Sequence, residues 1–237
     1  LQGALRGRVL VTGGDEGPQS FRLVPTSYWP GAEVSGGVTP NHGSSGLVMT
    51  ATGAGLSVSS TPLGAFPTCI DINIGAGSYV LDAAATSIVN GVHHTLSFWF
   101  RINSPPPGLA SVMNKASGGF SMYNSSNSAG VYQMQMPFGG GIGSVLEDQA
   151  VHAVITIDNT NSTLVYFNGV LVGNLGSSPG MGDNATPLRF GQEFATFPTR
   201  GGQYGFAEIA IFTQKFLLAD VADLYAWGLA GKRAIEL

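Results

Sequence analysis

The acidic residues of this 237-residue chain are few, and their spacing decides what chemistry they can do. Glycan hydrolysis needs two carboxylates about 5 to 9.5 Å apart across the scissile bond. On a strand, that means acids two or four residues apart on one face. No Glu-x-Asp-x-Glu array occurs. Glu147 and Asp148 are adjacent, so on a strand they point to opposite faces, and they sit at the expected turn before Val151. They read as a solvated loop. Glu208 stands alone in a late strand and is expected to meet an Arg or a backbone group. His93-His94 invites a metal reading, but neighbours on an extended chain diverge, so the pair reads as the polar start of a strand. A serine nucleophile needs a base and an orienting group, and no arrangement in the sequence flags one. Cys69 has no second cysteine to pair with and reads as a small core residue. No catalytic residue is assigned, and the chain is expected not to be an enzyme.

Recognition chemistry needs less. A glycan site asks for exposed aromatic rings with amide and carboxylate partners nearby. Trp29, Tyr123, Tyr132, Tyr204 and Trp227 form the aromatic pool, most of it expected in the core or in packing between subunits. From that pool and the Gly182-Asp183-Asn184 turn, the candidate ligand-binding residues are Tyr123, Tyr204, Asp183 and Asn184. The loops Gly176–Thr186 and Glu193–Gln203 are the expected rim.

Composition narrows the partners. Charged residues make up 10% of the chain, against a usual share of about 25%. The hydrophobic share of 43% supports a sizeable core, and 35 Gly with 13 Pro supply many turns. A net charge of −4 with 10 scattered Lys and Arg offers no basic stripe for phosphates, so nucleic acid is excluded as a partner. No apolar run approaches the roughly 18 residues of a membrane span. A surface this poor in charge suits burial against other structural proteins or against copies of itself, and a homo-oligomer is expected. The chain opens at Leu1 without the features of a signal peptide, which suggests a processed protein or a fragment.

These residues must be positioned by strands. Val151–Asp158 alternates, with Val151, Ala153, Ile155 and Ile157 on one face and His152, Thr156 and Asp158 on the other. Leu164–Gly173 follows as a hairpin closed by Asn168-Gly169, the pair a type I′ turn demands. Thr95–Ile102 places Leu96, Phe98, Phe100 and Ile102 in one inward row. Further strands are expected over Ser20–Tyr28, 70–74, 78–81, 112–115, 119–123, 131–136, 187–191 and 206–212. Phe138–Gly143 reads as a flexible loop. Leu217, Val221, Leu224, Tyr225 and Gly228 fall on one face of a single helix. The expected division is an N-terminal arm or linker over 1–19, a domain over 20–228 and a tail over 229–237. Many short strands and one terminal helix describe an all-β jelly-roll sandwich.

The order of these motifs resembles the laminin-G-like, concanavalin A-like jelly-roll family. The resemblance rests on Thr95–Phe100, Lys115–Tyr123, Val151–Asp158, Tyr166–Gly173, Leu188–Gly191, Gly205–Phe212 and Leu224-Tyr225, in that order. Two positions depart from the pattern: Val151 replaces the usual Trp before His152, and the usual acidic pair of the last strand is reduced to Glu208. The resemblance implies a concanavalin A-like sandwich with one short C-terminal helix, and a structural role for His152. It implies calcium as a possible cofactor, for which Asp158, Asn159 and Asp183 are the candidate ligands. It also implies a non-catalytic lectin-like module that binds a glycan or another host-surface receptor. The expected setting is a virion surface (phage capsid or tail) or a cell surface. The alternative is a structural decoration or spacer that mediates self-association or capsid and tail assembly.

Overall fold

Alternation along two strands builds the centre of the molecule. The computed structural model describes residues 23–31, 38–45, 48–52, 56–72, 80–83, 93–104, 108–115, 120–126, 130–136, 140–158, 162–177, 188–191 and 202–234. Among them the chain runs through β1 (Ser27–Trp29), β2 (Val38–Thr39), β3 (Met49–Thr52), β4 (Leu56–Ser59), β5 (Cys69–Ile72) and β6 (Val80–Ala83). The long β7 (His94–Ser104) follows, then β8 (Leu109–Lys115), β9 (Phe120–Ser126), β10 (Val131–Met136) and β11 (Gly140–Leu146). The last strands are β12 (Val151–Ile157), β13 (Ser162–Phe167), β14 (Val170–Ser177), β15 (Leu188–Phe190) and β16 (Gln203–Phe212), and α1 (Leu218–Leu229) closes the fold.

Two eight-stranded antiparallel sheets result. The first is ordered β14-β13-β12-β7-β16-β5-β4, with β1 also paired to β16; the second is ordered β11-β10-β9-β8-β15-β6-β3-β2. The inward rows of both sheets form one core. Leu96, Phe98, Phe100 and Ile102 of β7 and Val151, Ala153, Ile155 and Ile157 of β12 meet Met122, Met134 and Phe190 from the second sheet. The Phe98 and Phe190 rings cross the gap edge to face at 5.4 Å. Burying such a ring contributes on the order of 2–3 kcal/mol, so this row is where the sandwich is held shut. Asn168 and Gly169 have φ of 51° and 79°, the paired positive values expected of their turn.

Several elements differ from the sequence expectation. Among the described residues, β1 takes only the end of the Ser20–Tyr28 stretch, and residues 140–143 of the Phe138–Gly143 stretch, expected as a loop, belong to β11 instead. The irregularity has a cause: β11 carries a bulge against β10, with Gly143 at φ 121°. That bulge sends both Ile142 and Val145 inward while breaking the period of two. Leu217, expected on the buried face of the helix, precedes α1 and is 68% exposed. Its amide is capped by Asp220 Oδ2 at 2.8 Å. The expected turn at 75–77 and the arm over 1–19 lie outside the described residues. The stretch after α1 is tied to the body: Ala234 is buried, and its amide donates to Glu208.

The outer face of the first sheet is buried as well. His152, Val154 and Thr156, the polar-side row of β12, are as inaccessible as its core row. The cover is α1, with Val221, Leu224 and Gly228 against the sheet. Trp99 lies directly across from His152 in the ladder, and the two rings stack with centroids 5.0 Å apart. Tyr225 of α1 lies nearly parallel to both, at 5.9 Å from each. Gly228 allows this approach: a Cβ there would stand 2.7 Å from Trp99 Cζ2. Burial pushes His152 down to about 3, so the ring is neutral, and Nε2 pairs with Ser97 Oγ at 2.8 Å.

Two outcomes follow from this roof. Gly228→Ala gains about 1 kcal/mol of helix propensity but loses more by displacing an indole that has no room to move, since overpacking costs about 1–3 kcal/mol. Urea unfolding is expected to show a net loss of about 1–2 kcal/mol; an unchanged or raised midpoint would mean that the helix does not pack as described. His152 has a native pKa below its unfolded value, so its contribution is fully present above about pH 6.5 and lost as pH falls toward 3. Between pH 7 and pH 4 the wild type is expected to lose about 3 kcal/mol more stability than His152→Phe, which cannot titrate. Parallel pH profiles would contradict the burial.

Candidate functional site

Most of the residues that the sequence offered for chemistry are occupied by the fold. Tyr204 points into the core, between Ile102 and Ile72 in the ladders, and its hydroxyl donates to Asn124 Oδ1. Burial raises its phenol well above the usual value. A ligand on the surface does not reach it. Asn124, which begins an Asn-x-Ser sequence, is equally buried. Trp29 and Tyr132 are core residues. Trp227 is half-buried: its Nε1 donates to the Arg233 carbonyl, and the Lys232 ammonium lies 4.1 Å above its ring. Asp158 uses both carboxylate oxygens, one accepting from the Ser162 amide at 2.9 Å and the other from Lys215 Nζ at 2.6 Å. Asn159, Asp183 and Asn184, and most of both rim loops, lie outside the described residues. Among the described residues, no group of three or more His, Cys, Asp or Glu side chains could hold a metal ion.

The acids and histidines are likewise accounted for. Glu147-Asp148 form a turn, with Asp148 at φ 56° and its amide donating to the Ile102 carbonyl. His93 is exposed while His94 is buried, so the pair diverges as expected. Glu208 sits in a bulge of β16 at φ 54°, where its carboxylate accepts from the Tyr28 hydroxyl and the Ala234 amide. It meets a backbone group, as the sequence suggested, and a tyrosine in addition. Cys69 lies beside Asp71, and burial together with that carboxylate pushes its thiol up to about 12. Arg101 reaches Asp71 across Gly205, the residue between them in the ladder, and also donates to Asn103 and the Pro62 carbonyl.

The sequence did not reveal that Ser97 and His152, 55 residues apart, form a hydrogen-bonded pair. The β7–β12 ladder brings them together. No acid orients the pair, since His152 Nδ1 has no hydrogen-bond partner. The cavity shared by Ser97, His152, Glu208 and Lys232 is about 10 Å³, room for one water and not for a substrate.

The second sheet presents a different outer face. Tyr132, Met134 and Met136 of β10 point inward, so Gln133 and Gln135 point outward. On β9, Met122 and Asn124 are buried, and Tyr123 and Ser125 take the outer side. The ladders align Tyr123 with Gln135 and Gly141, and Ser125 with Gln133 and Ser144. Gln135 Nε2 donates to Ser125 Oγ at 3.1 Å, which holds the amide in place. Tyr123 is therefore the sequence-selected aromatic that reaches a surface. The two glutamines were not selected, although alternation along 131–136 places them outward.

Comparison with known proteins places this geometry. Similar structures include a sialidase from Trypanosoma rangeli bound to 2,3-difluorosialic acid, with a TM-score of 0.63 at 12% identity, covering 86% of this chain and 33% of that one. The receptor-binding domain of botulinum neurotoxin mosaic serotype C/D has a TM-score of 0.59 at 11% identity, covering 87% and 51%. The binding domain of Paraclostridial Mosquitocidal Protein 1 has a TM-score of 0.54 at 15% identity, covering 84% and 52%. This chain thus spans about a third of the sialidases and about half of the toxin domains. No curated protein sequence matches it. The expectation that the chain is not an enzyme is corrected by the sialidases, because the same sandwich occurs within enzyme chains. At such identity the likeness is one of fold, and it does not make this chain an enzyme either. The profile of the concanavalin A-like lectin/glucanases superfamily, in its laminin-G form, matches residues 75–222, more than half of the chain. With the two-sheet sandwich and its terminal helix, that match makes the chain a member of this superfamily.

Proposed function

We propose that the chain is a recognition module, a lectin-like sandwich that binds a glycan or another host-surface ligand. The observation that carries this reading is the contrast between the two outer sheet faces. α1 roofs the first sheet, whereas the β9–β10–β11 part of the second sheet offers an amide- and hydroxyl-rich face with one aromatic ring. Membership in a lectin superfamily supports it, as do the two toxin binding domains of the same fold. The low charge of the chain suits a setting on a virion or cell surface, where the module would sit in a larger assembly.

A second reading has its own support. Leu218, Leu229, Val170 and Leu171 are exposed around α1 and the neighbouring hairpin, an apolar fringe that suits packing against other copies in a structural spacer. A glycan array probed with the purified protein, with and without calcium, separates the two readings when paired with sedimentation of the same sample. Recognition predicts saturable binding to a defined set of glycans. No binding at all, together with the mass of a closed oligomer, would leave the structural reading in its place.

A further inference from the structure

We propose that the ligand site is the outer face of the β9–β10–β11 meander, and that it takes a neutral oligosaccharide. This deepens the recognition reading and rests on it. Two adjacent rows make the face: Tyr123, Gln135 and Gly141 in one, Ser125, Gln133 and Ser144 in the other. Three strands at about 4.8 Å spacing and two rows about 7 Å apart give a platform suited to a short oligosaccharide.

The chemistry of the platform selects the ligand. Its side chains are amides, hydroxyls and one phenol ring, groups that both donate and accept and so match sugar hydroxyls. Neither row contains a charged side chain. A carboxylate or phosphate ligand would be desolvated there without a cation to meet it, and a cationic ligand without an anion. Arg189, the described cation of this face, stands on β15, beyond β8, and is already engaged by an interaction of its own.

Two observations distinguish the platform from an ordinary solvated sheet. Ser125 holds the Gln135 amide through one N–H, which keeps its carbonyl and second N–H for a ligand and lowers the rotamer freedom lost on binding. Gly141 lies opposite Gln135 and offers no side chain, so the amide is approachable from the sheet edge.

Gly141 also supplies the test. A Cβ there would meet nothing closer than the Met134 carbonyl at 4.0 Å, so Gly141→Leu covers the platform without pressing on the fold. Binding of the wild type, Gly141→Leu, Gln135→Ala and Leu218→Ser is measured on an array that carries each oligosaccharide core in neutral and sialylated form, with unfolding midpoints taken in parallel. Neutral cores are expected to bind. Gly141→Leu and Gln135→Ala are expected to weaken that binding about tenfold or more, with midpoints unchanged. Leu218→Ser, on the roofed side, is expected to bind as the wild type does. Undiminished binding in both platform variants would overturn the site and leave the recognition reading standing. Binding confined to sialylated cores would overturn the neutral class alone. Absence of binding to every glycan would overturn both.

Discussion

Trp99 is pressed between the ladder and the helix, and the architecture of this protein depends on that contact. The indole stacks on His152 and Tyr225, and Gly228 of α1 lies against its edge where any side chain would collide. Through it, the central strands β7, β12 and β16 become buried on both faces, so polar groups such as Ser97, His152 and Glu208 must find partners inside the protein. The Ser97–His152 hydrogen bond, the neutral imidazole, and the Tyr28 and Ala234 contacts to Glu208 all answer that requirement. Groups that would suggest catalysis in isolation serve here to make an outer face buriable.

That roof decides where recognition can occur. A two-sheet sandwich has two broad faces, and α1 removes one of them. The remaining face carries short polar side chains that alternate with the Met and Tyr row of β10. The absence of charge from its two rows over β9 to β11 accords with the low charge of the whole chain and favours ligands that are hydrogen-bonded without being ionised. The superfamily match supplies the fold, while the similar sialidases and toxin domains show that this fold occurs in both enzymes and binding proteins. Recognition by this chain, as proposed, rests on its own residues.

The sequence was informative wherever a single strand or turn carries its own pattern. Val151–Gly173 was legible because alternation and Asn168-Gly169 act over a few residues, and the inward row of β7 was legible for the same reason. The covering of Trp99 was not, because its partners come from β12 and from α1, distant in sequence, and periodicity does not say which face a helix will cover. β11 escaped because a bulge at Gly143 breaks the alternation that marks a strand. Tyr204 looked like a rim aromatic, although its spacing from Phe206 already placed both on one face, and that face is the core. Gln133 and Gln135 were available to the same reasoning, but charge and aromaticity draw attention before uncharged amides do. Asn159, Asp183 and Asn184 lie outside the described residues.

Amide hydrogen exchange, measured with and without a saturating glycan, addresses most directly the claim that one sheet is roofed and the other recognises. Slowed exchange is expected along β9, β10 and β11, with α1 and β12 unchanged because they are already closed to the ligand. Protection centred on α1 and the outer face of β12, with β9 to β11 unaffected, would contradict the account.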